Sequence, residues 1–239
     1  MTTERRADET PIVQRLHIIF GKHGALKYTG NLDVSKVWER VLRRANLPIL
    51  YTQGFNTRPR IQLATALPLG ITSDCEIIDV ALRERLPTLD GISQQLEAVA
   101  PDGLKVVRVD DVPVNSPPLQ TSVRSAEYRI HFEDAIAPEV LRERVMALLA
   151  RDRVIKEIVR KRRKSYVDLR PLILELIVDE AGDLIAHLAT GERGSMRPDE
   201  VLVEMGLEAY HVRVHRFALH LEDYAHHTRL RDHERDMDS

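Results

Sequence analysis

The chain holds one cysteine, one tryptophan and four phenylalanines in 239 residues. With Cys75 alone, no internal disulfide can form, and no thiolate zinc site or three-cysteine iron–sulfur cluster can be built. No apolar run reaches the roughly 18 residues that a membrane helix needs. The opening residues lack the hydrophobic core of a signal peptide, so a soluble cytoplasmic protein with no membrane partner is expected. Net charge is only −2, which neither demands nor excludes a nucleic-acid partner. The negative balance is concentrated in the polar tail at 222–239, where six acids stand against three arginines. Walker loops, Gly-x-Gly-x-x-Gly, His-Glu-x-x-His and Ser-His-Asp spacings are all missing. No third ligand accompanies His211 and His215, or His226 and His227, so neither a metal nor a cofactor is expected. His17, His131 and His220 read as strand-surface residues without a function.

What is present is an ordinary apolar share of 43%, enough for a packed core in one large or two average domains. Residues 1–12 are polar and read as disordered. Residues 15–22 are apolar and β-branched, a first strand. Val34, Val37, Trp38, Val41, Leu42 and Ala45 fall on one face of a helix over 34–45, capped by Asn31 or Asp33. Lys36, Arg40, Arg43 and Arg44 lie off that face, as a solvated surface would. The stretch from 51 supplies the next strands, the last over 75–82, and a helix over 88–100 and a strand over 104–112 complete a β-α-β-β-α-β order. The proline-rich stretch 113–118 marks a linker at 113–125. The order then repeats. Strands are expected at 126–133, 154–159, 166–178, 183–190 and 211–221, with helices from Pro138 and near Pro198. The expected fold is α+β, with two tandem ferredoxin-like units at 13–112 and 126–221, the second carrying an extra hairpin.

The stretch 51–79 organises the first unit. Tyr51, Gln53, Phe55, Asn56, Arg58 and Arg60 supply two aromatics, two amides and two guanidinium groups. Gly54 permits positive φ, and Pro59 holds Arg58 extended. Two readings stand: a hairpin whose Tyr51 and Phe55 fill the core, or a shaped loop facing a ligand. The run Arg160, Lys161, Arg162, Arg163 and Lys164, followed by Tyr166, is either a solvated turn or a basic finger for phosphate. Asp168 and Arg170 alternate with apolar neighbours as a structural ion pair or as pocket lining.

Tyr51-x-Gln53-Gly54-Phe55-Asn56-x-x-Pro59-Arg60-Ile61, with Pro68-Leu69-Gly70 and Asp79, resembles the bacterial radical-SAM-linked protein family. Phe20-x-Lys22-x-Gly24-x-Leu26-Lys27-Tyr28, Leu32-Asp33 and Val167-Asp168-Leu169-Arg170-Pro171-Leu172-Ile173 fit the same pattern. The resemblance runs from about residue 15 to about residue 221. It implies a domain of unknown function that occurs alone or fused behind a cobalamin-binding radical SAM enzyme. Lacking the cluster cysteines, this chain is expected to be the partner or appendage and not the radical generator. The family pattern often has a histidine before the Leu-Asp pair and another in the Gly-Phe-Asn loop. Asn31 and Thr57-Arg58 stand there instead, so a mechanism built on those imidazoles is closed to this chain.

The leading expectation is a non-catalytic accessory or substrate-recognition module that binds RNA and partners a radical SAM enzyme. The alternatives are an RNA-processing or RNA-modifying enzyme, for which only analogy of fold speaks, and a protein-interaction scaffold.

Overall fold

The computed structural model describes residues 11–53, 55–160, 163–191 and 194–222. The expectations for residues 1–10, Gly54, Lys161, Arg162, His226 and His227 lie outside the described residues. The fold is α+β, and the chain divides into two compact units, 1–121 and 122–239.

In the first unit, β1 (Gln14–Lys22), α1 (Asn31–Arg44), β2 (Ile61–Leu63), β3 (Thr72–Leu82), α2 (Ile92–Glu97) and β4 (Leu104–Val112) follow in order. The strands lie β4-β1-β3-β2, each antiparallel to its neighbour. Leu16 stands opposite Val80, and Ile18 opposite Ile78, which sets one apolar row against another. Val34, Trp38, Val41 and Leu42 of α1 are buried in the same core as Leu16, Ile18 and Phe20. Trp38 meets Phe20 edge-on at 5.0 Å between ring centroids, a favourable aromatic geometry.

The helix begins one turn earlier than its apolar face suggests. Extended Gly30 is the N-cap; its carbonyl accepts the N–H groups of Asp33 and Val34. Asp33 is thus inside the helix, paired with Lys36 at 3.0 Å. The far end closes on Asn46 at φ +53°, with Leu47 N–H donating to the Leu42 carbonyl at 3.1 Å and Asn46 N–H to Arg43 at 3.0 Å. This is the Schellman closure, and its apolar partners Leu42 and Leu47 share the core.

The opposite face of β1 is buried as well, which corrects the expectation for His17: it is buried, not a strand-surface residue. Beside it Arg15 Nε donates to Asp79 at 2.8–2.9 Å. The Arg15 guanidinium also donates to the carbonyls of Ser116 at 2.6 Å and Pro117 at 3.1 Å. The stretch 113–118 is therefore tied to the first unit by side-chain hydrogen bonds.

The chain passes to the second unit through a short helix, α3 (Leu119–Ser122). There follow β5 (Val123–Phe132), α4 (Pro138–Leu149), β6 (Ile155–Arg160), β7 (Arg163–Asp168), β8 (Ile173–Val178), β9 (Leu184–Ala189), α5 (Pro198–Glu204) and β10 (Val212–Leu221). Four strands lie β10-β5-β9-β8, again antiparallel. Leu141, Val145 and Leu148 of α4, Val201 and Leu202 of α5, and Ala126, Tyr128 and Ile130 of β5 are buried. The remaining two strands, β6 and β7, form a separate antiparallel hairpin between α4 and β8. The single strand expected over 166–178 is broken at a 3-10 turn, Arg170–Leu172. Pro171 lacks the N–H that a continuous ladder requires there.

Candidate functional site

The loop over 51–60 is a closed stem with an exposed tip. Tyr51 bridges Pro59, Thr52 N–H donates to the Arg58 carbonyl at 2.8 Å, and Arg58 N–H donates to Thr52 Oγ1 at 3.0 Å. Below them Arg60 N–H reaches the Leu50 carbonyl at 2.8 Å, and Ala81 N–H reaches Arg60 at 3.0 Å. The two aromatics divide between the two readings. Tyr51 is half-buried and packs on the core, whereas Phe55 is fully exposed. A hydrogen bond with the Tyr51 hydroxyl raises the Arg43 guanidinium above its ordinary value. Gln53, Asn56 and Arg58 are exposed and Arg60 is half-buried. An exposed phenyl ring is thus carried between amides and guanidinium groups on a stem fixed by backbone hydrogen bonds.

Of the basic run, Arg160 ends β6 and Arg163 and Lys164 open β7, and Arg160 and Arg163 stand opposite each other in register. Lys164 is exposed and pairs with Glu157 at 2.9 Å, and the Tyr166 hydroxyl donates to the same carboxylate at 3.2 Å. Val159 is 60% exposed and Tyr166 64%, so this hairpin carries apolar and aromatic surface into solvent along with its cations. Its base is anchored. Val154 and Leu169 are buried, and Lys156 pairs with Glu200. Burial pushes the Glu200 carboxyl up, but hydrogen bonds from Lys156 and from the N–H of Arg197 outweigh it and leave the group below its ordinary value.

Asp168 and Arg170 serve this base. Asp168 Oδ1 accepts the N–H groups of Val154 at 2.9 Å and Arg170 at 3.0 Å, which hold its carboxyl below the usual range. Arg170 donates to the carbonyls of Ile173 at 3.3 Å and Leu149 at 3.2 Å, closing the end of α4. Asp168 also pairs with the neighbouring Arg153 at 3.4 Å, so these two residues do not pair with each other but tie down backbone and a nearby side chain.

A shallow pocket at the start of α1 is lined by Lys22, Asn31, Leu63, Leu67 and Glu76 over Phe20. Lys22 and Glu76 are buried, and Lys22 Nζ donates to the Thr29 carbonyl at 2.7 Å.

A second polar group lies on the sheet of the second unit. Ser125 and Glu127 alternate along β5; His187 on β9 stands opposite Glu127, and His220 on β10 stands opposite Ser125. His187 Nε2 is 2.8 Å from Ser125 Oγ, His220 Nε2 is 2.8 Å from Glu127 Oε1, and the two imidazole centroids are 5.0 Å apart. Glu175 of β8 stands on the other side of His187. Desolvation, then the neighbouring His220, lowers the His187 pKa, against the opposing pull of Glu127 and Glu175. None of these positions was read from the sequence as a site, and His220, expected as a strand-surface residue without a function, is half-buried against Glu127. The available signal was polar alternation within otherwise apolar strands. Among the described residues, no group of three or more His, Cys, Asp or Glu is disposed to hold a metal ion. No described helix is long and apolar enough to cross a membrane.

The family model described as "Uncharacterized protein conserved in bacteria (DUF2344)" matches residues 15–198. No curated protein matches the sequence. A solved structure described as an unknown protein from Galdieria sulphuraria aligns over 87% of this chain and 98% of its own. Its identity is 15% and its TM-score 0.23, a likeness too slight to argue from.

Proposed function

We propose that this chain, which belongs to the family of uncharacterized bacterial proteins whose model spans residues 15–198, is an RNA-recognition protein that serves a radical SAM enzyme. The observation that carries this reading is the fully exposed Phe55 at the tip of a hydrogen-bonded stem, among Gln53, Asn56, Arg58 and Arg60. An exposed ring stacks on an unpaired base, amides reach base edges, and guanidinium groups take phosphates in pairs of hydrogen bonds. The stem fixes those groups before binding and so lowers the ordering cost. The basic β6–β7 hairpin is the second point of attachment in this reading. The radical SAM partner rests on the motif resemblance and on the single cysteine, which leaves cluster chemistry to another domain. The scaffold reads as two ferredoxin-like units, supported by a β-α-β-β-α-β order and a 4-1-3-2 antiparallel arrangement in each.

Titrating a fluorescent single-stranded RNA against the protein and against Arg58→Ala with Arg60→Ala tests the reading. Affinity falls in the double variant, and the slope of log K against log salt shrinks by about 0.7 for each phosphate no longer neutralised. Phe55→Ala weakens binding by about 1–3 kcal/mol, the worth of one stacked base. Unchanged affinity in both variants overturns the loop as the recognition element.

A further inference from the structure

We propose that Ser125, Glu127, His187 and His220 form a second site that cleaves single-stranded RNA by transesterification. The proposal rests on the RNA-recognition reading for its substrate class, but it assigns chemistry where that reading assigns only binding.

The bonds in place engage Nε2 of both rings: His187 with Ser125 at 2.8 Å and His220 with Glu127 at 2.8 Å. Neither Nδ1 has a protein partner among the described residues. When His187 donates from Nε2 to Ser125 Oγ, its Nδ1 carries the free lone pair of a base. When His220 donates from Nε2 to Glu127, the carboxylate compensates an imidazolium whose Nδ1–H is available as an acid. One base and one acid, with ring centroids 5.0 Å apart, suit a reaction that removes a proton at one oxygen and delivers one at another. Two residues along β5 on the same face, Arg129 is half-exposed and only loosely paired with Asp183 at 3.9 Å, free to take a phosphate oxygen.

The step balances without a co-reactant. His187 Nδ1 takes the proton of a ribose 2′-hydroxyl, and that oxygen attacks the adjacent phosphorus. The bond from phosphorus to O5′ breaks, and O5′ takes the proton of His220 Nδ1. The products are a 2′,3′-cyclic phosphate and a 5′-hydroxyl, and solvent exchange restores both rings. His187 and His220 are the catalytic residues. Ser125 and Glu127 are positioning residues, since each acts by holding a ring nitrogen.

The pH dependence follows from the groups around His187: Ser125 and Glu127 from β5, Glu175 from β8 and His220 from β10. Desolvation and His220 keep His187 neutral below the ordinary histidine range, so the acid limb of the rate profile lies below that range.

The test incubates the full-length protein with a mixed-sequence single-stranded oligoribonucleotide in EDTA, reading product ends by mass spectrometry. Cyclic phosphate and 5′-hydroxyl ends are expected, with an all-2′-deoxy oligonucleotide left intact. His187→Gln and His220→Gln each slow cleavage by about 10²–10⁴-fold while RNA affinity and Tm are kept. Glu127→Gln displaces the pH profile as well as lowering its height, which a merely structural carboxylate would not do. RNA bound through the 51–60 loop but left uncut overturns the second site alone, as does cleavage undiminished in His187→Gln. Cleavage lost in the histidine variants but indifferent to Arg58→Ala with Arg60→Ala keeps this site and overturns the loop reading. RNA neither bound nor cut overturns both.

Discussion

Trp38 and Arg15 show what a single position can and cannot disclose. Trp38 sits on an apolar helix stripe that the sequence displays openly, and its ring is 0% exposed. Trp38→Ala should cost about 3–5 kcal/mol in urea unfolding, through lost transfer energy and the cavity left against Phe20. Arg15 gives no such sign in the sequence, because its partner Asp79 is 64 residues away. The same distance problem hides Ser125 from His187, 62 residues apart, and Glu127 from His220, 93 apart. Such pairs exist only once strand register is set, and a one-residue slip would turn every member to the other face. The burial of His17 is hidden in a similar way, because only the assembled sheet shows that its strand is covered on both faces. Desolvation lowers its pKa, with Arg15 acting in the same direction and Asp79 and Asp110 opposing. The unfolded chain therefore takes up a proton at about pH 6.5 that the folded chain still refuses. The contribution of His17 to stability is present above that pH and is lost as pH falls through the folded value. His17→Gln should flatten the decline of Tm below about pH 6.5; an unaltered decline would assign it to other groups.

At the scale of elements, alternation and helical stripes are enough to place nearly every strand and the three longest helices. The misreadings are at ends and breaks. The helix expected over 88–100 is only Ile92–Glu97, because Asp90 N–H turns back to Thr88 Oγ1 at 3.0 Å and Gly91 adopts φ +78°. Apolar periodicity continues through such a turn even though the helix does not. The β6–β7 hairpin is legible as two strands with a basic turn, but its separation from the main ladder of its unit is not. From that separation we predict that it is dispensable to folding. Replacing residues 157–166 by a short Gly-Asn turn should leave Tm within a few degrees, since the segment contributes little buried apolar area. RNA affinity should fall with its salt dependence. A large drop in Tm would mean the arm is structural.

At the scale of the whole chain, the order of elements in each unit is readable although the two halves share no visible sequence repeat. Binary patterning repeats more readily than residue identity. The stretch 113–118 reads as a tether from its prolines, yet Arg15 binds two of its carbonyls. Arg15→Ala should therefore do two things at once. It leaves Asp79 as an uncompensated buried charge, at a cost of about 3–5 kcal/mol, and it should speed proteolytic cleavage at 113–118 under native conditions. Slower or unchanged cleavage there would detach the stretch from this anchor. The projecting hairpin has a consequence of another kind. Among the described residues β6 and β7 pair only with each other, so each offers an unfilled row of backbone donors and acceptors along its outer side. Rows of that sort invite a neighbouring molecule to add its own strand. Of the five consecutive cations in the sequence, Arg160 closes β6 and Arg163 and Lys164 open β7, and this like charge sets up a mutual repulsion that keeps two such arms from approaching. Salt shortens the reach of that repulsion, to about 3 Å at 1 M. Light scattering across a salt series should then show self-association rising with ionic strength in the wild-type chain. With the cations replaced by glutamine it should appear already at low salt, and the same arm proposed to take a polyanion would act as the guard against its own copies.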